Sequence, residues 1–563
     1  LRIAALAGSE FDSRAVAAVA GLDHETAVNE LEIACQIGVV AEVAANTFRF
    51  VHSLLRTTLR AEIGPTRAAQ VHRDLGGAIE RLDLRPTDQR ISALAYHFRQ
   101  AAYGDLCLDE AAEYAKEAGE TAIRQFAYED AARYFLDAAT FIERKHRETP
   151  TSTELRIRSA RALHATGDHA SASAQLVDAA TTADRHGWTA ELAKAAIDMQ
   201  GVMTAQGRTT TEAIALLEKA SQAVESEAPS LHPNVVARLA AAYRFAGRTD
   251  DATGAARRAM ELAEGSDDPA TWTVVSDSVH TVFDSPETIT PRIVAATRAI
   301  NASRSAGLHE ELSWELWRRT VDNVDLGQLR DARLDLHQLS SNTTTHKQRF
   351  MHQLAVTAGS MMAFIDDQLD LAERLALEAE DLRSELEGDQ AEGILGIQMY
   401  TIRRAQGRLG ELAPVIRTLA SSPEGSWGPG LANLYSELGM TEEARHLLEQ
   451  YVDDTGVGLP KDDRWRLSVS YLADACHAAA DATRAATLYQ ELRPHERTWL
   501  SFGGVACVGP AARYLGSLAL TMGLTDEARH HLQAAREAAQ AADSPRFVLE
   551  ADRWLARLRA GDK

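Results

Sequence analysis

The stretch Leu515-Gly-Ser-Leu-Ala-Leu-Thr-Met-Gly523-Leu-Thr-Asp-Glu-Ala528 decides the fold. Its first half is small and apolar without a charge, and it stops at Gly523, a residue that takes the left-handed conformation at the end of a helix without steric cost. A second helix then opens with Ala528 and continues through Leu532 and Ala535. Leu431-Ala-Asn-Leu-Tyr-Ser-Glu-Leu-Gly439-Met-Thr-Glu-Glu-Ala444 repeats the phrase. Both read as helix, glycine turn, helix.

Working outward, the signature of the second helix recurs: a small residue, a bulky one four later, and a small or apolar one three after that. It appears at Ala131, Phe135, Ala138; at Ala172, Leu176, Ala179; at Ala213, Leu217, Ala220; and at Ala332, Leu336, Leu339. Looser copies stand at Arg292, Ala296, Ala299 and at Leu412, Ile416, Leu419. Successive first positions from Ala131 to Ala528 are 41, 41, 39, 40, 40, 40, 40, 32, 41 and 43 residues apart. Offsets of four and three place the three residues on one helix face, where small side chains admit a neighbouring helix and the bulky one fills the groove. Gly167, Gly207, Gly247, Gly327 and Gly407 mark further turns, each a few residues before a signature. A lone hairpin would leave that face bare, so the pattern predicts a stack in which each hairpin covers the next.

The quoted segments resemble the tetratricopeptide consensus, with most copies lengthened beyond its 34-residue period. The expected fold is all-α: a small winged-helix module followed by an α-solenoid of tetratricopeptide-like hairpins. The expected division is 1–62 for the module, 63–107 for linking helices, 108–541 for about eleven hairpins, and 542–563 for a C-terminal capping helix.

Composition agrees with an array. The chain has 563 residues, only 15 Pro and 6% aromatics, and it holds no uncharged apolar run long enough to span a membrane. The net charge of −22 argues against a surface that binds nucleic-acid backbone, although it does not exclude a local basic patch. Cys35, Cys107, Cys476 and Cys507 form no CxxC and read as reduced thiols of a cytoplasmic protein. Basic charge comes from Arg, with Lys at seven positions, a bias associated with GC-rich bacterial genomes. The chain begins at Leu1 without a Met, which reads as a cut inside a longer polypeptide.

Residues 1–60 depart from the hairpin pattern. Leu1–Ala7, Ser13–Val19 and Glu25–Gln36 read as helices, the last capped by Asp23, and 38–43 and 47–51 as a two-stranded wing. A winged helix that reads DNA presents basic or amide side chains from its third helix. Here that helix carries Glu25, Glu30 and Glu32 and no base, and residues 1–84 hold eight basic against eleven acidic residues. No direct DNA binding by the chain is expected.

The runs Leu1-Arg-Ile-Ala-Ala-Leu-Ala-Gly-Ser-Glu-Phe11 and Phe48-Arg-Phe-Val-His52-Ser-Leu-Leu-Arg56, with His72 and Ala93-Leu-Ala-Tyr-His97-Phe98, resemble large bacterial regulatory ATPases of the STAND class. Such proteins include the large LuxR-type and SARP-type transcriptional regulators and some ATPase-linked nucleotide cyclases. The resemblance implies an NTPase domain before the module, with ATP or ADP bound there, and a superhelix that receives the signal from an effector or partner protein, with self-association on activation. No G-x-x-x-x-G-K-[ST] loop occurs in the chain, so that NTPase domain is expected outside it. The resemblance also implies that His52, supported by Arg49 and Arg56, contacts the phosphates of the nucleotide; a locally packed or capping histidine is the alternative reading. A standalone scaffold for partner proteins is the other functional class.

Two aromatic-bearing loops interrupt the repeat rhythm, 422–430 with Trp427 and 499–510 with Trp499 and Phe502. Aromatics at glycine-rich turns on a concave wall suit a small effector or a peptide, and equally suit gap-filling between irregular hairpins. Trp314 and Trp317 read as helix packing. No H-E-x-x-H, no G-x-S-x-G and no metal-spaced Cys and His cluster occurs, so no catalytic or metal site is expected and the chain is read as a non-enzyme.

Overall fold

The computed structural model describes residues 1–82, 87–386, 393–412, 428–453, 456–462 and 464–560. Among the described residues the protein is all-α apart from three small sheets, and the chain divides into two compact units, Leu1–Leu262 and Ala263–Lys563. That division falls inside the stretch read from the sequence as one array.

The first unit opens with helix Arg2–Ala7, strand Glu10–Asp12, helices Ser13–Ala20 and His24–Gln36, strands Val40–Ala44 and Thr47–Phe50, and helix Ser53–Ala61. Asp23 accepts from Thr26 N at 2.8 Å and from Thr26 Oγ1 at 2.6 Å, so the third helix starts at the cap the sequence indicated. The strand Glu10–Asp12 is absent from the sequence reading. It pairs antiparallel with Thr47–Phe50, the middle of three strands, and three residues are too short to show a period of two. Pairing brings Phe11 against Phe48 and Phe50, with ring centroids 6.1 and 5.6 Å apart, and these rings with Leu31, Ala34 and Val40 form the core.

Helices Pro65–Leu82 and Thr87–Ala102 pack on each other, and from Leu108 to Phe245 each helix packs on the next. The signature residues are the core. Ala131, Ala138, Ala172, Leu176, Ala179, Ala213, Leu217 and Ala220 are fully buried. The marker glycines adopt φ between +63° and +85°, as a left-handed cap requires. Three hairpins keep this conformation without glycine, at Phe126, Asp367 and Ala480, which no search for glycine could reveal.

The second unit stacks its helices in the same way, and the row then meets itself. Ser544 Oγ donates to Ile365 O at 2.8 Å, Arg546 NH1 bonds Asp367 Oδ1 at 2.9 Å, and Phe547 lies edge-on to Phe364 at 6.2 Å. The last helix, Pro545–Ala560, thereby returns to helix Arg349–Ile365, 179 residues away in sequence.

Between helices Ala482–Leu492 and Ala511–Thr521 the chain forms an antiparallel hairpin of strands Trp499–Phe502 and Ala506–Pro510. It packs against His309–Asp325, Arg349–Ile365, Ile394–Ala405 and Trp465–Ala478, each the first helix of its pair. One hairpin thus braces four repeats from their shared inner side. Its polar groups are met by those helices: Ser501 Oγ donates to the buried Asp325 at 2.5 Å, and Gln398 Nε2 donates to Val505 O at 3.0 Å.

Candidate functional site

Several first helices of the second unit gather around a cleft of about 570 Å³. Helices Ile394–Ala405, Gly428–Glu437, Trp465–Ala478, Ala511–Thr521 and Pro545–Ala560 all contribute to it, and Val508 of the hairpin adjoins them. The lining is mainly polar, with five guanidinium groups, Arg404, Arg513, Arg546, Arg553 and Arg557, against four carboxylates.

Asp474 sits at the centre of its charge network. Arg513 NH1 bonds its Oδ1, and Arg404 NH2 bonds its Oδ2 at 2.6 Å. Arg513 also meets Glu550 at 2.9 Å, and Arg404 meets Glu437 at 2.6 Å. Burial by itself raises the pKa of Asp474, but Arg513 and Arg404 outweigh it and hold the group below the ordinary carboxylate value. The network is therefore charged and self-paired, and it links four neighbouring first helices to the terminal one.

Aromatic rings fix the guanidinium groups further. Arg513 lies 4.4 Å from the Tyr514 ring centroid and 4.7 Å from that of Trp554, while Arg557 lies 5.2 Å from Trp554. His477 meets Trp554 edge-on at 4.8 Å and bonds Thr521 Oγ1 through Nδ1 at 2.8 Å; burial lowers its pKa and favours the neutral ring. Burial likewise pushes the Tyr471 phenol up to about 12, so it is a hydroxyl and not a phenolate.

Those of the residues singled out in the sequence that the structure describes do not line the cleft. Trp499 is 2% exposed; its indole packs over the Gly327 turn and stands edge-on to Phe547 at 5.3 Å. Gap-filling is what it does here, because the loop carrying it folds into a buried hairpin instead of lying open on the wall. Phe502 is partly buried against the core around Tyr471 and Leu500. Trp427 lies outside the described residues. Trp314 and Trp317 pack edge to face at 5.9 Å.

His52 is the exposed N-cap residue of helix Ser53–Ala61 and makes no side-chain cap bond. Arg49 pairs with Glu10 at 3.5 Å, and Arg56 donates Nε to Ala5 O at 3.1 Å. His52 thus stands at a helix N-terminus, while Arg49 and Arg56 are engaged by the module itself.

Ser276, His280 and Asp322 imitate a hydrolase triad, with His280 Nε2 3.0 Å from Asp322 Oδ2 and Nδ1 3.4 Å from Ser276 Oγ. The geometry is wrong for one. His280 Nδ1 is spent on Ser276 O at 2.7 Å, and the serine hydroxyl donates to Glu315 at 2.5 Å, so no ring nitrogen is placed to take its proton. Among the described residues no group of three or more His, Cys, Asp or Glu is placed to hold a metal ion, and no helix is long and apolar enough to cross a membrane. The four cysteines are unpaired thiols.

The cleft residues missed in the sequence reading did leave one signal. Arg513 is the only charged residue between Arg497 and Asp526, and a lone charge in so apolar a run has to be partnered in the fold.

No family model and no curated protein matches the sequence. Among solved structures, the chain is similar over 88% of its length to a Signal Transduction ATPase with Numerous Domains protein with a tetratricopeptide repeat sensor from Pyrococcus horikoshii, at 11% identity and a TM-score of 0.36. It spans 62% of that protein's chain. It is also similar, over 88% of its length and 97% of the other chain, to yeast Tom70, at 13% identity and a TM-score of 0.25.

Proposed function

We propose that the chain is the sensory and regulatory region of a STAND-type ATPase of the transcriptional-regulator kind, its helical hairpins receiving an effector and its N-terminal module, a winged helix, mating with a nucleotide-binding domain. The observation that carries the reading is the cleft in the second unit. Its volume is that of a metabolite site, and it is walled by first helices from several repeats, so an occupant would touch and tie together elements far apart in sequence. Binding energy spent there would favour the closed arrangement of the row, which is how a repeat array turns occupancy into a signal.

The module supports the second half of the reading. Of twenty large apolar side chains exposed among the described residues, eight lie between Leu1 and Leu55, including Ile37 at 70% and Leu54 at 79%. Helix Ser53–Ala61 buries no residue at all. A patch this dense suits a domain interface. In the resemblance, His52 would face the nucleotide across that interface, with ATP or ADP held by the other domain.

Thermal unfolding against metabolites, nucleotides and fractions of cell extract tests the reading, because a ligand that binds only the folded form raises the midpoint. A saturable rise that Ser436→Trp abolishes by filling the cleft is the expected result. A rise that survives Ser436→Trp, or no rise alongside retention of a protein partner, overturns it in favour of a scaffold.

A further inference from the structure

We propose that the cleft of the second unit takes a small polar molecule bearing an oxyanion, phosphate or carboxylate, and that Arg553 and Arg557 are its ligands. The inference rests on the reading of that cleft as the effector site and adds the chemistry of the effector.

Charge accounting singles out these two residues. Arg404, Arg513 and Arg546 each have a carboxylate in the fold: Glu437 and Asp474, Asp474 and Glu550, and Asp367. Those same four carboxylates are the acidic groups of the lining, and each is taken. Arg553 and Arg557 are different. Both are exposed, both line the cleft, and neither pairs with a carboxylate among the described residues. They stand one turn apart on helix Pro545–Ala560, where like charges repel, so the fold alone gives no gain from holding them together.

An oxyanion supplies what is missing. The guanidinium fork matches two oxygens of a phosphate or carboxylate, and two forks one turn apart can share one group. Arg557 is set for this by Trp554: a guanidinium against an indole face keeps its N–H edge free to donate. Neutral His477, beside the same indole, adds no competing charge. The uncompensated charge of the cleft is thus positive in a chain of net charge −22. The mainly polar lining and the size fit a hydrophilic metabolite.

The test is isothermal titration and thermal unfolding of the full chain at constant ionic strength, with inorganic phosphate, citrate, glucose 6-phosphate and glucose as probes. Saturable binding of at least one oxyanion and none of glucose is expected; phosphate and glucose 6-phosphate against citrate separates the phosphate from the carboxylate source. Arg553→Gln and Arg557→Gln should each weaken binding about tenfold or more, with the unliganded midpoint unchanged for Arg553→Gln, where the side chain is exposed, and only slightly lowered for Arg557→Gln, which gives up its contact with Trp554. Arg559→Gln, on the same helix but away from the cleft, should leave binding intact. Absence of oxyanion binding, binding indifferent to Arg553→Gln/Arg557→Gln, or equal loss with Arg559→Gln overturns the inference. A neutral extract ligand blocked by Ser436→Trp yet indifferent to both arginines overturns it while the sensor reading stands. Oxyanion binding through the arginines with no active extract fraction upholds it and counts against the sensor reading.

Discussion

His72 and His97 face each other in the first unit with their Nδ1 atoms 2.9 Å apart, both rings 2% exposed. One nitrogen donates and the other accepts, so the pair is satisfied only while at least one proton is missing from the two facing positions. Burial, with Arg60 adding to it, lowers the His72 pKa to about 4. In the unfolded chain the same histidine titrates near 6.5.

The sign of the pH effect follows. Between 6.5 and about 4 the unfolded chain binds the proton and the native chain does not, so stability is full above 6.5 and falls as pH drops through that window, by about 3 kcal/mol. Urea unfolding at pH 7.5 and pH 4.5 checks it against His72→Gln. The wild type should lose more stability than the variant over the interval; equal losses would show that the pair carries no such linkage.

Trp499 and Gly327 make a second pairing that can be measured. A Cβ at Gly327 would strike the indole, and φ there is +71°. Trp499→Ala should cost about 3–5 kcal/mol as a core truncation. Gly327→Ala should cost about 2 kcal/mol from strain and clash. In the Trp499→Ala background the clash part should vanish, so a double-mutant cycle by chemical denaturation should show the two costs to be less than additive. Strict additivity would mean that the two residues do not touch.

Asp474 carries two guanidinium groups, and Asp474→Asn removes their common charge while keeping the shape. The expected cost is about 3 kcal/mol, because buried Arg513 and partly buried Arg404 are left with one carboxylate each. The loss should appear in the thermal midpoint and should be only weakly sensitive to salt, since buried pairs are poorly screened. A change comparable to that of an exposed pair, below about 1 kcal/mol, would contradict the network.

Ala480 holds φ +51° at an exposed hairpin turn where other hairpins place glycine. Ala480→Gly relieves the left-handed strain but loosens the unfolded chain, and the balance favours a gain of about 0.5–1 kcal/mol. A higher denaturation midpoint checks this. Asp367→Gly at the equivalent turn should not gain, because it also loses the ion pair to Arg546.

The hairpins were legible because their determinants are local. Small residues at offsets of four and three, and a turn every forty residues or so, fix which helix face is buried, and all of that lies within one repeat. The turns at Phe126, Asp367 and Ala480 were not legible, since they take the left-handed conformation without the glycine that marks the other turns. The setting of Trp499 was not legible for a related reason: glycine and an aromatic ring look the same in an open loop and in a buried hairpin, and only the partners of Trp499 separate the two.

Sequence alone therefore determined the class of element, the period and the core-facing residues. Tertiary structure decided where the row meets itself, at Ile365 and Ser544, and which inner charges meet, at Arg404, Asp474 and Arg513. Spacing along a helix fixes a face but not the small rotation from one hairpin to the next. Those rotations accumulate over many repeats, and their sum sets the position of the last helix and the shape of the cleft it closes.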